Sequence, residues 1–424
     1  MTSTTTVAPA PTAQVRAATL ATYIAFTGSG FAFASWASRI PQVRDRLQLD
    51  PSELGLLLVT IAAGSVLALP LSGPVIARIG SRRTVAAMAV VLGVGLATVA
   101  TGYLVGLVPD MVGLFLLGFG NGAWDVAMNV QGAVVERHLG RSIMPRFHAG
   151  FSVGTVAGAL LGAAMVALRV PVTAHLAAVA VVVVVTVFVG CQRFVADQPD
   201  DPARGNGVEA EATDVGQAGA RRGALAAWRE PRTLLIGVFV LAFAFAEGTG
   251  NDWISVAVID GYGVSAAVGT LALAAFLGAM TAGRWFGPAL LDRYGRVPVV
   301  RAMALLAIAG LVLFVFAPVT PLAFVGTLLW GLGVSLGFPV GMSAGADDPQ
   351  LAAGRVSVIA SVGYCAFLAG PPLIGFLGDH VTVLRAMTAV AVLLGLAVLT
   401  TDAIRPPVPT QHVGSDLSPT RTGI

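Results

Sequence analysis

The stretch GPALLDRYGR at residues 287–296 has a counterpart earlier in the chain, GPVIARIGSRR at residues 73–83. Both begin with Gly-Pro after an apolar run and carry Arg-x-Gly near their ends, and the two Gly-Pro pairs lie 214 positions apart. The later stretch has one extra residue before its Arg. Two copies of such a loop suggest that the chain contains two halves of similar structure.

Further short matches occur in chain order at nearly the same displacement. LLGFGNG at 116–122 corresponds to LWGLGVS at 329–335, and Ser-Val-Gly at 152–154 recurs at 361–363, with displacements of 213 and 209 positions. A single match could be chance, whereas a series in chain order indicates an internal repeat. Parallel repeats of membrane helices are related by an axis along the membrane normal.

The composition is that of a membrane protein. Of 424 residues, 56% are hydrophobic and 11% charged, against roughly 25% charged in soluble domains. The mean hydropathy is +0.83 and the net charge is only +3. These values exclude a soluble enzyme or a nucleic-acid-binding protein. The sequence has no Walker motif, metal-binding cluster or catalytic constellation, so we expect neither an enzyme nor a cofactor.

Twelve apolar runs are long enough to cross a bilayer as helices, which predicts an all-α integral membrane protein. They cover residues 17–38, 53–76, 84–107, 111–135, 148–169, 173–194, 232–256, 264–286, 298–317, 320–343, 355–377 and 381–402. Polar, Gly-rich sequence separates the sixth run from the seventh. The predicted division is an N-terminal tail (1–16), a six-helix half (17–195), a mobile linker (196–230), a second six-helix half (231–403) and a C-terminal tail (404–424).

The distribution of basic residues predicts the orientation. All 25 are Arg, and 20 of them, with Arg284 in the count, fall on the side of the N-terminus. Cytoplasmic loops carry such an excess. We therefore expect a multi-pass protein of the cell inner (cytoplasmic) membrane, with both tails and the linker cytoplasmic. Arg39, Arg44 and Arg46 are a local exception, since they follow the first span on the other side.

The repeated loops resemble the Gly-x-x-x-Asp-Arg-x-Gly-Arg signature of the major facilitator superfamily. The matching residues are Gly287, Asp292, Arg293, Gly295 and Arg296 in the second copy, and Gly73, Arg78 and Gly80 in the first. The resemblance implies two six-helix halves that transport a small molecule, and a signature Asp that helps to latch the halves on the cytoplasmic side. Ala77 replaces that Asp in the first copy, so the N-terminal latch is expected to be weaker or differently built.

Another stretch resembles one bacterial branch of this family, the fucose and related sugar permeases. NGAWDVAMN at 121–129, Gly-Arg at 140–141 and FHAGFSVG at 147–154 carry the resemblance. It implies secondary active uptake of a sugar or similar small polar metabolite by alternating access. Export of a drug or metabolite is the alternative within the superfamily, and a non-transporting membrane sensor is a further one.

Polar residues within span 4 are candidates for the site. Asn121, Asp125 and Asn129 are spaced i, i+4, i+8 and so share one helix face, with Trp124 beside them. Charged groups at membrane depth usually face an interior cavity. We predict that Asp125 takes up a proton and that Asn121, Trp124 and Asn129 bind cargo. The alternative is a hydrogen-bond network that holds span 4 to its neighbours.

Span 7 provides the corresponding candidates in the second half. Glu247 is predicted to couple protons, and Asn251 and Trp253 to contact cargo. The alternative for Glu247 is a pairing with a polar group across the halves. The resemblance implies that span 7 breaks at its Gly248–Gly250 pair. Polar or Gly/Pro interruptions predict that spans 4, 7, 10 and 11 line a cavity, and His148 at the start of span 5 is a candidate relay or interface residue.

Small residues predict close helix packing. Gly150, Gly154, Gly158 and Gly162 recur every four residues on span 5, and Gly370, Pro371 and Pro372 interrupt span 11. Such faces allow close backbone approach, and the resemblance implies that span 5 packs against span 8 or its counterpart, span 2. The expected partners of the whole chain are the lipid bilayer, a small-molecule cargo and protons, with a proton gradient as energy source. We expect no nucleic acid, and a monomer.

Overall fold

The structure is a computed structural model that describes residues 13–140, 143–197, 227–348 and 351–406, the side chain of Ala353 excepted. Nearly all of the predicted tails, most of the predicted linker and Arg141 lie outside these ranges. The predicted order, mobility and location of those segments therefore stay predictions.

Eleven helical stretches in the described ranges are long and apolar enough to cross a membrane. One of them, Pro51–Gly102, has 52 residues, about 78 Å at 1.5 Å per residue and more than twice the roughly 30 Å of a bilayer core. Its backbone leaves the helical region at Gly80, with φ 80° and ψ 161°. It therefore supplies two crossings, α2 (51–79) and α3 (81–102).

The other ten stretches each supply one crossing, which confirms the predicted all-α fold with twelve spans. They are α1 (Ala13–Ala37), α4 (Leu107–Leu139), α5 (Met144–Ala167), α6 (Val172–Cys191), α7 (Pro231–Tyr262), α8 (Ala266–Tyr294), α9 (Arg296–Phe316), α10 (Thr320–Gly345, in the pieces Thr320–Val334 and Gly337–Gly345), α11 (Ala352–Val381) and α12 (Val383–Ile404, in the pieces Val383–Ala386, Thr388–Thr400 and a 3-10 turn Thr401–Ile404). A short connector helix, Ile40–Leu47, lies between α1 and α2.

The start of α2 shows how local sequence sets a helix boundary. Asp50 accepts a hydrogen bond from the Glu53 amide at 2.7 Å, and Glu53 accepts one from the Asp50 amide at 3.1 Å. This reciprocal capping box satisfies backbone donors that a helix start otherwise leaves free. Pro51 follows at the first helical position, where its missing N–H costs nothing.

The packing of the first six helices recurs in the last six. The helix α1 packs on α5 and α6, as α7 packs on α11 and α12, and α3 packs on α4 and α6, as α9 packs on α10 and α12. The contacts across the halves are also matched, since α5 meets α8 and α2 meets α11. Gly80 and Gly295, at equivalent positions of the repeated loops, have φ of 80° and 81°. Only glycine adopts such a backbone without strain.

The glycine stripe of α5 packs against α1 within the first half. A Cβ on Gly158 would lie 2.6 Å from the Phe31 carbonyl oxygen, and one on Gly154 would lie 3.0 Å from the Phe31 amide nitrogen. Gly150 and Gly162 also face α1. The partner implied by the resemblance, span 8 or span 2, is therefore wrong for this stripe. The helix α5 meets α8 through another face, which includes Val153, Ala157 and Leu160.

The predicted packing residues of α11 lie at the contact with α2. A Cβ on Gly55 would lie 2.5 Å from the Pro371 carbonyl oxygen and 3.0 Å from the Pro372 Cα. Gly370 instead faces the Phe245 ring of α7 at 3.6 Å. The helix runs through both prolines without an interruption, and their backbone reaches the other half where Gly55 has no side chain.

The halves are bonded to each other at one end of the molecule. An even number of crossings puts residues 13 and 406 on the same face, here named the terminal face, and the loops 103–106 and 317–319 on the opposite face. Arg44 bonds Asp260, Ser52 bonds Asp379, and Thr270 donates to the Ser38 carbonyl at 3.4 Å. These are the hydrogen bonds between halves within the described residues, and all lie at the opposite face.

Candidate functional site

A cavity of about 1110 Å³ lies between the halves and extends to the terminal face. Its volume is slightly above the roughly 300–1,000 Å³ typical of small-molecule sites. Residues from α4, α5, α8, α9 and α10 line it. Spans 4 and 10 therefore line the cavity as predicted, whereas α5 and α8 take the places expected of spans 7 and 11 among the described lining residues. The polar lining comprises Asp125, Arg146, His148, Ser152, Thr281, Arg284, Asp292, Arg296 and Ser343.

Asp125 contributes a carboxylate to the cavity wall near the middle of α4. The Asn129 amide donates to the Asp125 carbonyl at 2.8 Å and to its Oδ1 at 3.4 Å. Within the described part of the chain, Asp125 makes no ion pair and its Oδ2 accepts no hydrogen bond. An ionisable group at this depth costs at least about 2.5 kcal/mol on insertion scales, so a water-accessible cavity is the setting in which it is tolerated.

The other two members of the span 4 set have different surroundings. Asn121 accepts a 2.7 Å hydrogen bond from the Ser29 hydroxyl and so joins α4 to α1. Trp124 is fully buried, and its ring lies 3.8 Å from a Cβ built on Gly28 of α1. The structure thus brings Asp125 to the cavity, with Asn129 bonded to it, and places Asn121 and Trp124 in the packing of the first half.

Glu247 and Arg284 form an ion pair between α7 and α8. Both Glu247 carboxylate oxygens lie 2.8 Å from Arg284 Nη2, and Arg284 Nε donates to the Ser335 carbonyl at 3.4 Å. The side chains are 18% and 28% exposed, and Arg284 lines the cavity. The pairing lies within the second half, not across the halves.

Arg284 was counted with the basic residues of the terminal side, and the structure places it well inside a helix. The helix α8 continues for ten residues beyond it, to Tyr294. Sequence reasoning missed it because Gly-Pro at 287–288 suggests a helix end soon after residue 284. A signal was nevertheless present, since an acid at the depth of Glu247 needs a polar or cationic partner.

Asn251 and Trp253 are not among the residues that line the cavity. Trp253 is fully buried, and neither its Nε1 nor the Oδ1 of Asn251 has a hydrogen-bond partner among the described residues. The implied break in span 7 is absent here, because α7 is one continuous helix. Its glycines make room for aromatic rings instead: a Cβ on Gly250 would lie 2.5 Å from the Phe276 ring, and one on Gly248 would lie 3.2 Å from the Phe367 ring.

His148 faces the cavity from the first turns of α5. Its ring meets Phe26 edge-on at 5.1 Å between centroids. In the described ranges its ring nitrogens make no hydrogen bond. Together with Asp125 and Arg284 it gives the cavity an acceptor, a donor and a group that can act as either.

The second signature loop is bonded within its own half. Arg296 pairs with Asp347 at 2.6 Å, and Arg293 lies over the Tyr294 ring at 5.2 Å. Asp292 is exposed and makes no hydrogen bond or ion pair with a described residue. Nearby, two bonds of 2.8 and 2.6 Å from Arg355 join α11 to α7, and they hold the pKa of the Glu230 carboxyl below its usual value.

The first signature loop is built differently. Asp197, after α6, accepts hydrogen bonds from the Ser81 amide at 2.5 Å and the Ser81 hydroxyl at 2.6 Å. A carboxylate thus lies at the start of α3, where it complements the helix dipole although Ala77 supplies none. Gly73 and Arg78 are exposed. In this conformation neither loop bonds the two halves together through described residues.

No group of three His, Cys, Asp or Glu able to hold a metal ion occurs in the described ranges. The polar groups of the cavity wall include a carboxylate, guanidinium groups, an imidazole and hydroxyls, around a volume large enough for a small molecule. This arrangement can bind a hydrogen-bonding solute and exchange a proton with it or with water.

Known proteins match the chain along most of its length. The sequence profile of the Major Facilitator Superfamily matches residues 17–370. An uncharacterized MFS-type transporter from Yersinia pestis is 30% identical over 378 residues, which cover 88% of this chain and 92% of that protein. Such a match over most of both chains shows common descent and a common membrane architecture.

Solved structures share the fold. The nucleoside transporter NupG superposes with a TM-score of 0.72 at 14% identity, covering 92% of this chain and 98% of NupG. The fucose:proton symporter FucP of E. coli superposes with a TM-score of 0.60 at 15% identity, covering 93% and 100%. With the profile match and the repeated loops, these similarities establish that the chain is a multi-pass membrane transporter of the major facilitator superfamily.

Proposed function

We propose that this protein is a proton-coupled secondary active transporter that takes up a sugar or similar small polar metabolite by alternating access. The terminal face is cytoplasmic, so the structure is the inward-open state. The protein works as a monomer in the cell inner membrane and needs no cofactor beyond the proton gradient. The Arg distribution supports this orientation: without Arg284, 19 basic residues remain on the terminal side against five.

The observation that carries the proposal is the unpaired carboxylate of Asp125 on the wall of a cavity between the two halves. A carboxylate that passes from a water-exposed to an occluded state is less costly to occlude when protonated, because burial penalises the charged form. Asp125 therefore binds a proton while the cavity faces one side and releases it at the other. Asn129 remains bonded to Asp125 and orients it.

Glu247 is the second proposed coupling residue, and its surroundings differ. Protonation of Glu247 would weaken two charge-assisted bonds to Arg284, so its proton uptake is tied to a movement of that guanidinium. Asp125 has no such bond to lose. We therefore assign the carried proton to Asp125 and keep Glu247 as the alternative carrier.

The lining supports a polar cargo with an apolar side. Ser152, Thr281 and Arg284 offer hydrogen bonds, while Phe151, Trp285 and Phe338 offer flat apolar surfaces. Sugars present both a hydroxylated rim and C–H faces that pack on aromatic rings. The same aromatic walls favour the second candidate function, export of a more apolar drug or metabolite.

A thermal-shift screen of the purified protein against sugars, polyols, amino acids and drugs tests the cargo class. A ligand that binds the folded state alone raises the melting temperature. We expect a sugar or polyol to raise it, and the increase to shrink in Thr281→Val, which removes a cavity hydroxyl while keeping the shape. Thr98→Val is the matched control, since Thr98 is a half-buried residue of α3 outside the cavity lining. A response to drugs alone would favour export.

A further inference from the structure

The connector helix Ile40–Leu47 has no equivalent in the second half. Between α1 and α2 the chain forms this eight-residue helix, whereas only residues 263–265 separate α7 from α8. The connector helix also contains two of the Arg residues that break the charge rule on this side, Arg44 and Arg46. The repeat does not require it, and neither cavity nor cargo explains it.

One end of the connector is anchored in its own half. Arg39, just before the connector helix, is 2% exposed. Its Nε donates to His175 Nδ1 of α6 at 2.9 Å, and its Nη2 donates to the Val170 carbonyl at 3.2 Å. A buried guanidinium bonded in this way is costly to displace. The base of the connector therefore stays with the first half when the halves move.

The other end reaches the second half. The connector helix contacts α7, and Arg44 bonds both carboxylate oxygens of Asp260 in the last turn of α7. The side chains of Arg44 and Asp260 are 14% and 46% exposed, so the ion pair is shielded from solvent on the Arg44 side only. Arg44 also bonds Asp45 of its own helix, at 2.9 and 2.6 Å.

We propose that the connector helix is a latch of the opposite face: Arg39 anchors it to the first half, and the Arg44–Asp260 ion pair closes it on the second. Loss of the ion pair shifts the resting protein toward the state that opens at this face. The inference concerns the position of the halves alone and holds whichever cargo or coupling ion the protein uses.

Distance measurements between spin labels test the latch without cargo. Cysteines at Val105 and Val319, which are 78% and 51% exposed in equivalent loops of the two halves, are labelled in a Cys191→Ser, Cys365→Ser background in lipid nanodiscs. We expect one short distance for the parent. In Arg44→Gln and Asp260→Asn the ratio of longer to shorter distances should rise roughly fivefold, the effect of one partly shielded ion pair.

Asp45→Asn is the matched control, because it removes a bond to Arg44 that lies within one half. It should give the parent distribution. The two test variants remove opposite partners of the same ion pair. If one of them fails to fold, the other still tests the latch. Unchanged distances in the properly folded variants, or an equal shift in Asp45→Asn, would overturn the latch.

Discussion

The two halves share a helix arrangement and differ in how they hold their acids. In the first half, Asp125 lies on the cavity wall with Asn129 as its side-chain partner; in the second, Glu247 is bound by Arg284. Neither the acid nor the ion pair recurs at the equivalent position of the other half. Phe338 of α10 is equivalent to Asp125, and Pro70 of α2 is equivalent to Arg284. A duplicated scaffold thus leaves one half with an unpaired carboxylate and the other with an ion pair.

The halves also differ in how closely equivalent helices approach. Glycines of α5 bring its backbone against the backbone of α1, whereas glycines at the α7–α11 contact face side chains such as Val362 and Phe367. The first half is therefore the more tightly packed at this contact, and a small increase in side-chain volume should destabilise the protein most there.

The largest expected effect separates the two acids. Asp125→Asn keeps the shape of the site and should retain cargo binding and exchange between two cargo pools, but lose proton-driven accumulation entirely. Glu247→Gln should reduce accumulation less, since Asp125 can still carry the proton. Uptake and counterflow in proteoliposomes measure both activities. Swapped phenotypes would make Glu247 the carrier, and normal accumulation in both variants would make the acids structural.

The packing difference predicts the next largest effect. Gly158→Ala forces a Cβ to within 2.6 Å of the Phe31 carbonyl oxygen and should destabilise the fold by about 1–3 kcal/mol, as overpacking does. Gly370→Ala, where the nearest atom is 3.6 Å away, should change stability by less than about 0.5 kcal/mol. Thermal unfolding in detergent compares the two variants. Equal losses of stability would contradict the difference in packing between the halves.

Removal of the cation tests the ion pair of the second half. Arg284→Gln leaves Glu247 partly buried without its partner and should cost about 1–2 kcal/mol, less than a fully buried pair because both groups have some solvent access. The double variant with Glu247→Gln should recover part of the loss. Arg301→Gln, which breaks a more exposed pair with Asp402, serves as control. If Arg301→Gln lowers the melting temperature as much as Arg284→Gln does, the Glu247–Arg284 pair stabilises the protein no more than an exposed pair.

The signature loops give the smallest effect. Asp292 is exposed and unbonded to described residues in this conformation, so Asp292→Asn should leave stability and cargo affinity nearly unchanged. It should slow transport a few-fold, because we expect Asp292 to form its latch in the state with the terminal face closed. Stopped-flow uptake checks the rate. A silent Asp292→Asn together with a harmful Ala77→Asp would assign the working latch to the first half.

The sequence predicted the architecture because the patterns that indicate it lie in short stretches and occur in both halves. Loops with the same Gly-Pro and Arg-x-Gly pattern, and apolar runs of bilayer length, do not depend on tertiary contacts. The position of Asp125 was also predictable, since a helix places residues i, i+4 and i+8 on one face. The packing of the α5 glycine stripe on α1 could not be predicted. A glycine stripe shows that some helix approaches closely, but it does not identify that helix.

Errors in the predicted helix ends limited what the sequence could predict about the other site residues. Arg284 was counted with the basic residues of the terminal side because the predicted span ended at residue 286, whereas α8 continues to Tyr294. Asp110, fully buried in the first turn of α4, fell one residue before the predicted span. Trp124 and Trp253 were expected on the cavity wall, yet adjacent helix positions differ by about 100° in direction. The Trp124 ring therefore packs in the first half while the adjacent Asp125 faces the cavity, and Trp253 is fully buried as well.

The most direct test of proton coupling at Asp125 measures internal pH in proteoliposomes when cargo is added. A pH-sensitive dye is trapped inside, and the cargo identified by the thermal-shift screen is applied outside without any imposed gradient. The account predicts that cargo entry acidifies the interior with wild-type protein and leaves the pH unchanged with Asp125→Asn, although labelled cargo still exchanges. Equal acidification by both proteins would contradict it.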